Sequence, residues 1–351
     1  MDIKNIWWQR TSCGINAVND VAEHVMNDES TLILCKVKLP WKDRFHDSIK
    51  EEIRTSNKSF AFFRGKDIPE PGRFLFDNYC PEELQTEFWP AADYSYPHFL
   101  AEQDNILLNQ RIIVVSDIDS QNAVNSWISF IDAYKKTCAS LGKEAQRAVF
   151  VLEYNGTGPV TGSRNISNIS FAPTEIDIYT YNIIITRKYD LSPALNKYLA
   201  ELITALAGSN IVLNGLLAEQ GPQLMALPYP TYTEVADGNP DTETERLSDA
   251  ATDARVRLAQ LKALYPVVEQ KRCELIEKYL EKIEKTLPWK NDYGEKRDDP
   301  YDFELRDIVF KFDEIGVSHE DRELVKVLKD IRNSLAHNRT LSYKEIKSFC
   351  R

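Results

Sequence analysis

The 351-residue sequence predicts an α/β amino-terminal domain with a mainly parallel sheet, followed by an all-α carboxy-terminal bundle. Three observations predict it. Apolar, β-branched runs alternate with helical patterns as far as about residue 225, the arrangement of parallel sheets. Between Thr231 and Asp253 the composition turns acidic, with Glu234, Asp237, Asp241, Glu243, Glu245, Asp249 and Asp253 set against Arg246 alone. Beyond it the apolar residues recur at helical spacing and no strand pattern is convincing. A chain of this length exceeds one ordinary domain, and the expected division is 1–230, an acidic linker and helix start at 231–253, and a bundle at 254–351.

Taken in order, Gly14–Met26 reads as a helix, Thr31–Leu39 as a strand and Lys42 to about Arg54 as a charged amphipathic helix. Strands follow at Ser59–Phe63, Arg111–Val115, Ala148–Tyr154 and Ile176–Thr186, with helices at Gln121–Leu141 and Pro193–Leu206. Asp237-Gly238-Asn239-Pro240 is a turn signal inside the acidic stretch. In the last third, Val267–Leu287 carries Ile276, Leu280, Ile283 and Leu287 on one stripe, and Pro288 ends it. A second helix is expected near Tyr301–Glu314, and Gly316 then interrupts the chain. Ser318 with Asp321 approximates a capping box for a third helix over Glu320–Ala336, with Leu324, Val325, Leu328, Ile331 and Leu335 inward. Ser342–Phe349 suits a short fourth.

Charge and cysteine usage narrow the functional classes. With 43 Lys+Arg against 54 Asp+Glu the formal net charge is −11, so a generic polyanion binder is excluded and any nucleic-acid contact must be local. The six cysteines form no C-x-x-C pair, which argues against a zinc knuckle and a disulfide framework. The amino terminus carries no apolar core of signal-peptide length, and no segment approaches the apolar length of a membrane span. A cytoplasmic protein with no membrane contact is the expectation.

Chemistry-bearing residues crowd together at Arg332-Asn333-Ser334-Leu335-Ala336-His337. Histidine exchanges a proton near neutral pH, and arginine offers a permanently charged fork to phosphate oxygens. Together they suit metal-free cleavage of a phosphodiester. Asn333 and His337, four apart, share a helix face, so the amide is placed to orient the imidazole. Arg332 and His337, five apart, lie about 140° from each other around an ideal helix. They converge on one phosphate only if the helix ends near Ala336 or a second subunit supplies the other group. From Asp321 to Arg351 eight basic residues, among them Lys329, Arg339 and Lys344, face four acidic ones, a local excess of +4 that can hold RNA. The same residues also read as an ordinary polar cap at a helix carboxyl end.

This R-x4-H pattern at the end of an amphipathic helix, with a polar residue directly after the arginine, resembles the HEPN superfamily. The resemblance covers about residues 245–351. It implies a metal-independent endoribonuclease that dimerises through its bundle, with Arg332, Asn333 and His337 at a composite cleft. His337 would deprotonate the ribose 2′-hydroxyl, Arg332 would hold the phosphate, and a cyclic phosphate end would remain. Arg339, Lys329 and Lys344 would contact the RNA. Toxins and antiphage defence effectors are the roles the family implies, with no cofactor and no metal. The alternative is a non-catalytic adaptor that uses the bundle for dimerisation or partner binding.

In the amino-terminal domain, Arg111-Ile-Ile-Val-Val-Ser-Asp117-Ile-Asp119 looks like a Walker B strand, and the strand order around it resembles a P-loop ATPase core. Yet the loop after the first strand reads Leu39-Pro40-Trp41-Lys42-Asp43-Arg44, without the glycines that wrap a triphosphate. The expectation is therefore a degenerate nucleotide-binding type of domain, used for sensing or assembly, whose partner is a defence-system protein or a signalling nucleotide. Asp117 and Asp119 read as strand-end residues, and the glycine-containing stretch Asn155–Asn165 reads as a flexible loop.

Overall fold

The computed structural model describes residues 2–54, 57–91, 94–239, 246–291 and 294–350. It divides into two compact units, Met1–Asp177 and Ile178–Arg351.

The first unit is an α/β domain. Its helices and strands run α1 (Ile3–Arg10), α2 (Ser12–Met26), β1 (Ser30–Cys35), α3 (Lys42–Glu52), β2 (Ser59–Arg64), α4 (Pro71–Tyr79), α5 (Glu82–Gln85), α6 (Tyr96–Glu102), β3 (Arg111–Ile118), α7 (Gln121–Ser140), β4 (Val149–Tyr154) and β5 (Ile166–Phe171). All five strands pair in parallel, in the order β2-β3-β4-β1-β5. Burial on both faces explains the near-continuous apolar run of β4, whose six residues are all buried. Ile113, Val115, Phe150 and Leu152 join one core cluster with Trp127, Ile131 and Tyr134 of α7 and with residues of α4 and α6. On the other face Trp8 of α1 packs its ring 4.6 Å from Phe45 of α3 and 5.7 Å from Phe171 of β5. β5 escapes the sequence pattern because its buried residues, Ile166, Ile169 and Phe171, do not alternate strictly with the polar ones over its six positions.

Next comes α8 (Glu175–Thr186), which corrects the strand expected at Ile176–Thr186. The run is so apolar that its composition suits either state, and its ends decide. Thr174 Oγ1 accepts from the Asp177 N–H at 3.2 Å while Asp177 Oδ2 accepts from the Thr174 N–H at 2.9 Å. That reciprocal cap nucleates a helix. Ile178, Tyr181, Asn182, Ile185 and Thr186 are then buried at helical spacing.

The second unit is largely helical: α9 (Pro193–Ala207), α10 (Ile211–Gln220), α11 (Pro222–Ala226), α12 (Pro228–Gly238), α13 (Asp249–Lys278), α14 (Leu280–Glu284), α15 (Leu305–Glu314), α16 (His319–Ala336) and α17 (Tyr343–Phe349). Contact density thus divides the chain earlier than composition does, because the helices before the acidic stretch pack with α13. Residues 231–238, expected as linker, complete α12, while Pro240, Asp241, Glu243 and Glu245 lie outside the described residues. The long helix begins at Asp249 behind the Ser248 cap and continues through Pro266 to Lys278. A two-residue antiparallel pair, Trp289–Lys290 with Lys296–Arg297 (β6 and β7), interrupts a region expected to hold only helices. α15 starts at Leu305 rather than Tyr301, because Glu304 and Asp307 form a capping box there. Among the described residues no helix is long and apolar enough to cross a membrane.

Candidate functional site

The position of the Arg-Asn-His cluster follows from how α16 begins and ends. Ser318 caps its start by accepting from the Asp321 N–H at 3.2 Å. Asp321 does not close the box, because the Ser318 N–H donates to the Tyr279 hydroxyl at 3.4 Å. Its carboxylate instead takes hydrogen bonds from Ser318 Oγ, Lys278 Nζ and the Tyr279 hydroxyl. Burial pushes this carboxyl up, and the three donors outweigh it, bringing it down to about 2.

At the other end α16 stops at Ala336 and His337 is the cap residue, its N–H donating to Asn333 O at 2.9 Å. Asn338 follows in the left-handed region at φ 56°, and the Arg339 N–H returns to Ser334 O at 2.9 Å. These bonds make a Schellman-type end with asparagine in place of glycine. The helix end required at Ala336 is present.

The segment beyond is fastened to α13. Gln260, 1% exposed, donates from Nε2 to Leu341 O at 2.8 Å and accepts the Leu341 N–H on Oε1 at 2.8 Å. Thr340 Oγ1 donates to Asp253 at 2.5 Å. Gln260 is 81 positions from Leu341, and no local pattern announces it.

Arg332 and Asn333, both half-buried, line a groove of about 420 Å³ between α15 and α16. Lys329 joins them from α16, one turn back on the same face, while α15 contributes Leu305, Arg306, Val309 and Phe310, with Glu304 at the rim. His337 and Arg339 are exposed beyond the helix end, and Lys344 is exposed on α17. None of the three lines the groove. The link between Asn333 and His337 runs through the backbone; among the described residues no side-chain hydrogen bond joins the amide to the ring. Sequence reasoning missed Arg306 and Phe310, which enter from a helix with its own capping signals and no motif.

A second polar groove, of about 520 Å³, lies at the carboxyl edge of the parallel sheet, where open α/β sheets bind ligands. Between Val115 and Ile118 the β3–β4 register slips, so that three steps on β3 span two on β4. The bulge places Asp117 at φ 56° and lets two successive residues, Ser116 and Asp117, face this groove. Lys42, at the start of α3 behind Trp41 at φ 47°, pairs with Asp117 and stands 3.9 Å from Glu153 Oε2. Glu153 is fully buried; its Oε1 lies 2.6 Å from His46 Nε2, and its Oε2 has no hydrogen-bond partner among the described residues. Burial pushes the Asp117 carboxyl up, but Lys42, Arg64 and Lys66 outweigh it and hold it below its ordinary value. Asp119 is exposed just past the strand and does not line this groove.

The glycine-containing loop after β4 is tied down. Gln121 donates to Pro159 O at 2.8 Å, Tyr154 to Gly158 O at 3.2 Å and Asn165 to Asp132 at 2.9 Å. All six cysteines are free.

Comparison with protein-family models, with curated proteins and with solved structures gives no match to this chain.

Proposed function

We propose that the protein is a metal-independent endoribonuclease of the HEPN type, with Arg332, Asn333 and His337 at a composite site completed by a second copy. One observation carries the reading. α16 ends at Ala336, so His337 leaves the helix as its cap residue while Arg332 and Asn333 remain on the groove. The arginine is held by helix geometry on a cationic wall, where it can stabilise charge on a phosphate. The imidazole is exposed to receive a proton. A two-fold partner would bring each histidine to the other copy's groove, which a single copy's histidine does not line.

In this reading the amino-terminal domain is a degenerate nucleotide-binding type that senses a signal or holds the nuclease in a complex. What supports this is the polar groove at the carboxyl edge of a parallel sheet, with Trp41 and Lys42 where a phosphate-wrapping loop would need glycines. Partial restraint of RNA cutting, relieved by a trigger, fits an antiphage effector or toxin.

The test is incubation of single-stranded RNA with purified protein in excess chelator. Cleavage leaving cyclic phosphate ends is expected, and Arg332→Ala and His337→Ala each abolish it. An equal mixture of the two variants recovers part of the activity, because one site in a mixed dimer is intact. Equal cutting by wild type and both variants defeats the proposal; cutting by none of them favours the adaptor reading.

A further inference from the structure

The groove that holds Arg332 carries more than a phosphate contact. α15 turns Arg306 and Phe310, one helical turn apart, onto the same wall, and the Arg306 guanidinium carbon lies 5.8 Å from the centre of the Phe310 ring. The ring is 47% exposed, unlike Phe312 two positions on, which is fully buried. Across the groove stand Lys329, Arg332 and Asn333. The wall therefore pairs an exposed aromatic and a guanidinium with two further cations and an amide. Among the described residues Glu304 is the one acidic member of the lining, and its carboxylate is engaged in capping α15.

We infer that this groove selects single-stranded RNA, with one unpaired base stacked on Phe310 and Arg306 and the neighbouring phosphates held by Lys329 and Arg332. The inference rests on the ribonuclease reading of the same site. Charge complementarity assigns an anionic occupant, since the groove is cationic on a chain whose net charge is −11. The ring narrows it further. In an RNA duplex the base faces are occupied by stacking on one another, whereas a single strand can present a face to an aromatic side chain or an arginine plane. Asn333 adds a donor and an acceptor for a base edge or a 2′-oxygen.

Binding is measured apart from cleavage, by fluorescence anisotropy of a labelled 2′-O-methyl RNA 12-mer, which has no attacking hydroxyl. The same strand annealed to its complement is the comparison. Tighter binding of the single strand is expected, with a loss of about tenfold in Phe310→Ala, retention in Phe310→Trp, and a shallower salt dependence in Lys329→Ala. Thermal melting of each variant shows whether it is folded; the exposed ring is expected to be dispensable for folding. Unchanged binding by folded Phe310→Ala, or equal affinity for the duplex, overturns the inference. Single-strand binding that depends on Phe310, in a protein that cuts no RNA, upholds the groove and overturns the nuclease reading alone.

Discussion

The Arg339 N–H and the Ser334 carbonyl, 2.9 Å apart, close the end of α16 and thereby fix where the chain turns away from the arginine five residues before His337. The turn depends on Asn338, whose φ of 56° is tolerated by glycine and asparagine and resisted by branched residues.

Asn338→Gly is therefore expected to keep or slightly raise stability, and Asn338→Val to lower it by about 1–2 kcal/mol. Urea denaturation midpoints at unchanged slope read the difference. A valine variant as stable as wild type would show that the cap does not hold the helix end.

Arg332→Ala and His337→Ala differ in what they leave behind. Each is expected to lower the cleavage rate by roughly a hundredfold or more, with melting temperatures close to wild type, because neither side chain makes a hydrogen bond or ion pair among the described residues. Arg332→Lys keeps the charge and loses the planar fork, so partial activity is the expected result. Full activity of the lysine variant would reduce the arginine to a charge.

The loop after the helix hangs on Gln260. Its removal leaves the Leu341 N–H and carbonyl without their buried partner, a loss of about 2–4 kcal/mol for two such groups. Chemical denaturation of Gln260→Ala checks this. A change below about 0.5 kcal/mol, the size of an ordinary surface substitution, would mean that α17 holds the segment unaided.

Acid sensitivity follows from Asp321. Its folded-state value is about 2 against an ordinary 3.8, so the group is depressed on folding. The stability it contributes is present above about pH 4 and is lost as pH falls toward 2. Asp321→Asn is expected to be less stable at neutral pH and to show a flatter decline across that window. Parallel acid-denaturation curves for the two proteins would exclude this linkage.

Much of the second unit is legible in the sequence because its helices announce themselves. Ser318 precedes a 3.6-residue apolar pattern, and the structure buries Val325, Leu328, Ile331 and Leu335 accordingly. The run at Ile176–Thr186 is misread because almost every residue is apolar or β-branched, which silences periodicity; Thr174-x-x-Asp177 was the readable signal. In the candidate site, Arg332 and Asn333 are visible as a motif and Lys329 as part of a charge excess. Arg306, Phe310 and Gln260 come from distant stretches whose local pattern says only that they are helical. Likewise His46 and Glu153, 107 positions apart, meet only because α3 packs on the face of β4 that carries the carboxylate.

The slip between β3 and β4 makes the sheet edge sensitive to the number of residues rather than to their kind. In an even ladder neighbouring side chains alternate between faces, so Ser116 and Asp117 would point opposite ways. Deleting Ser116 would even out the ladder and leave Asp117 alone between Val115 and Ile118, opposite Glu153 and still on the face of Lys42. A substitution at Asp117 removes a charge; a deletion beside it would keep the charge and remove the bend that presents two neighbouring side chains to one groove. The pairing of Lys42 with Asp117 thus tolerates a shorter strand, whereas the adjacent hydroxyl and carboxylate depend on a residue count that conservative substitution leaves untouched.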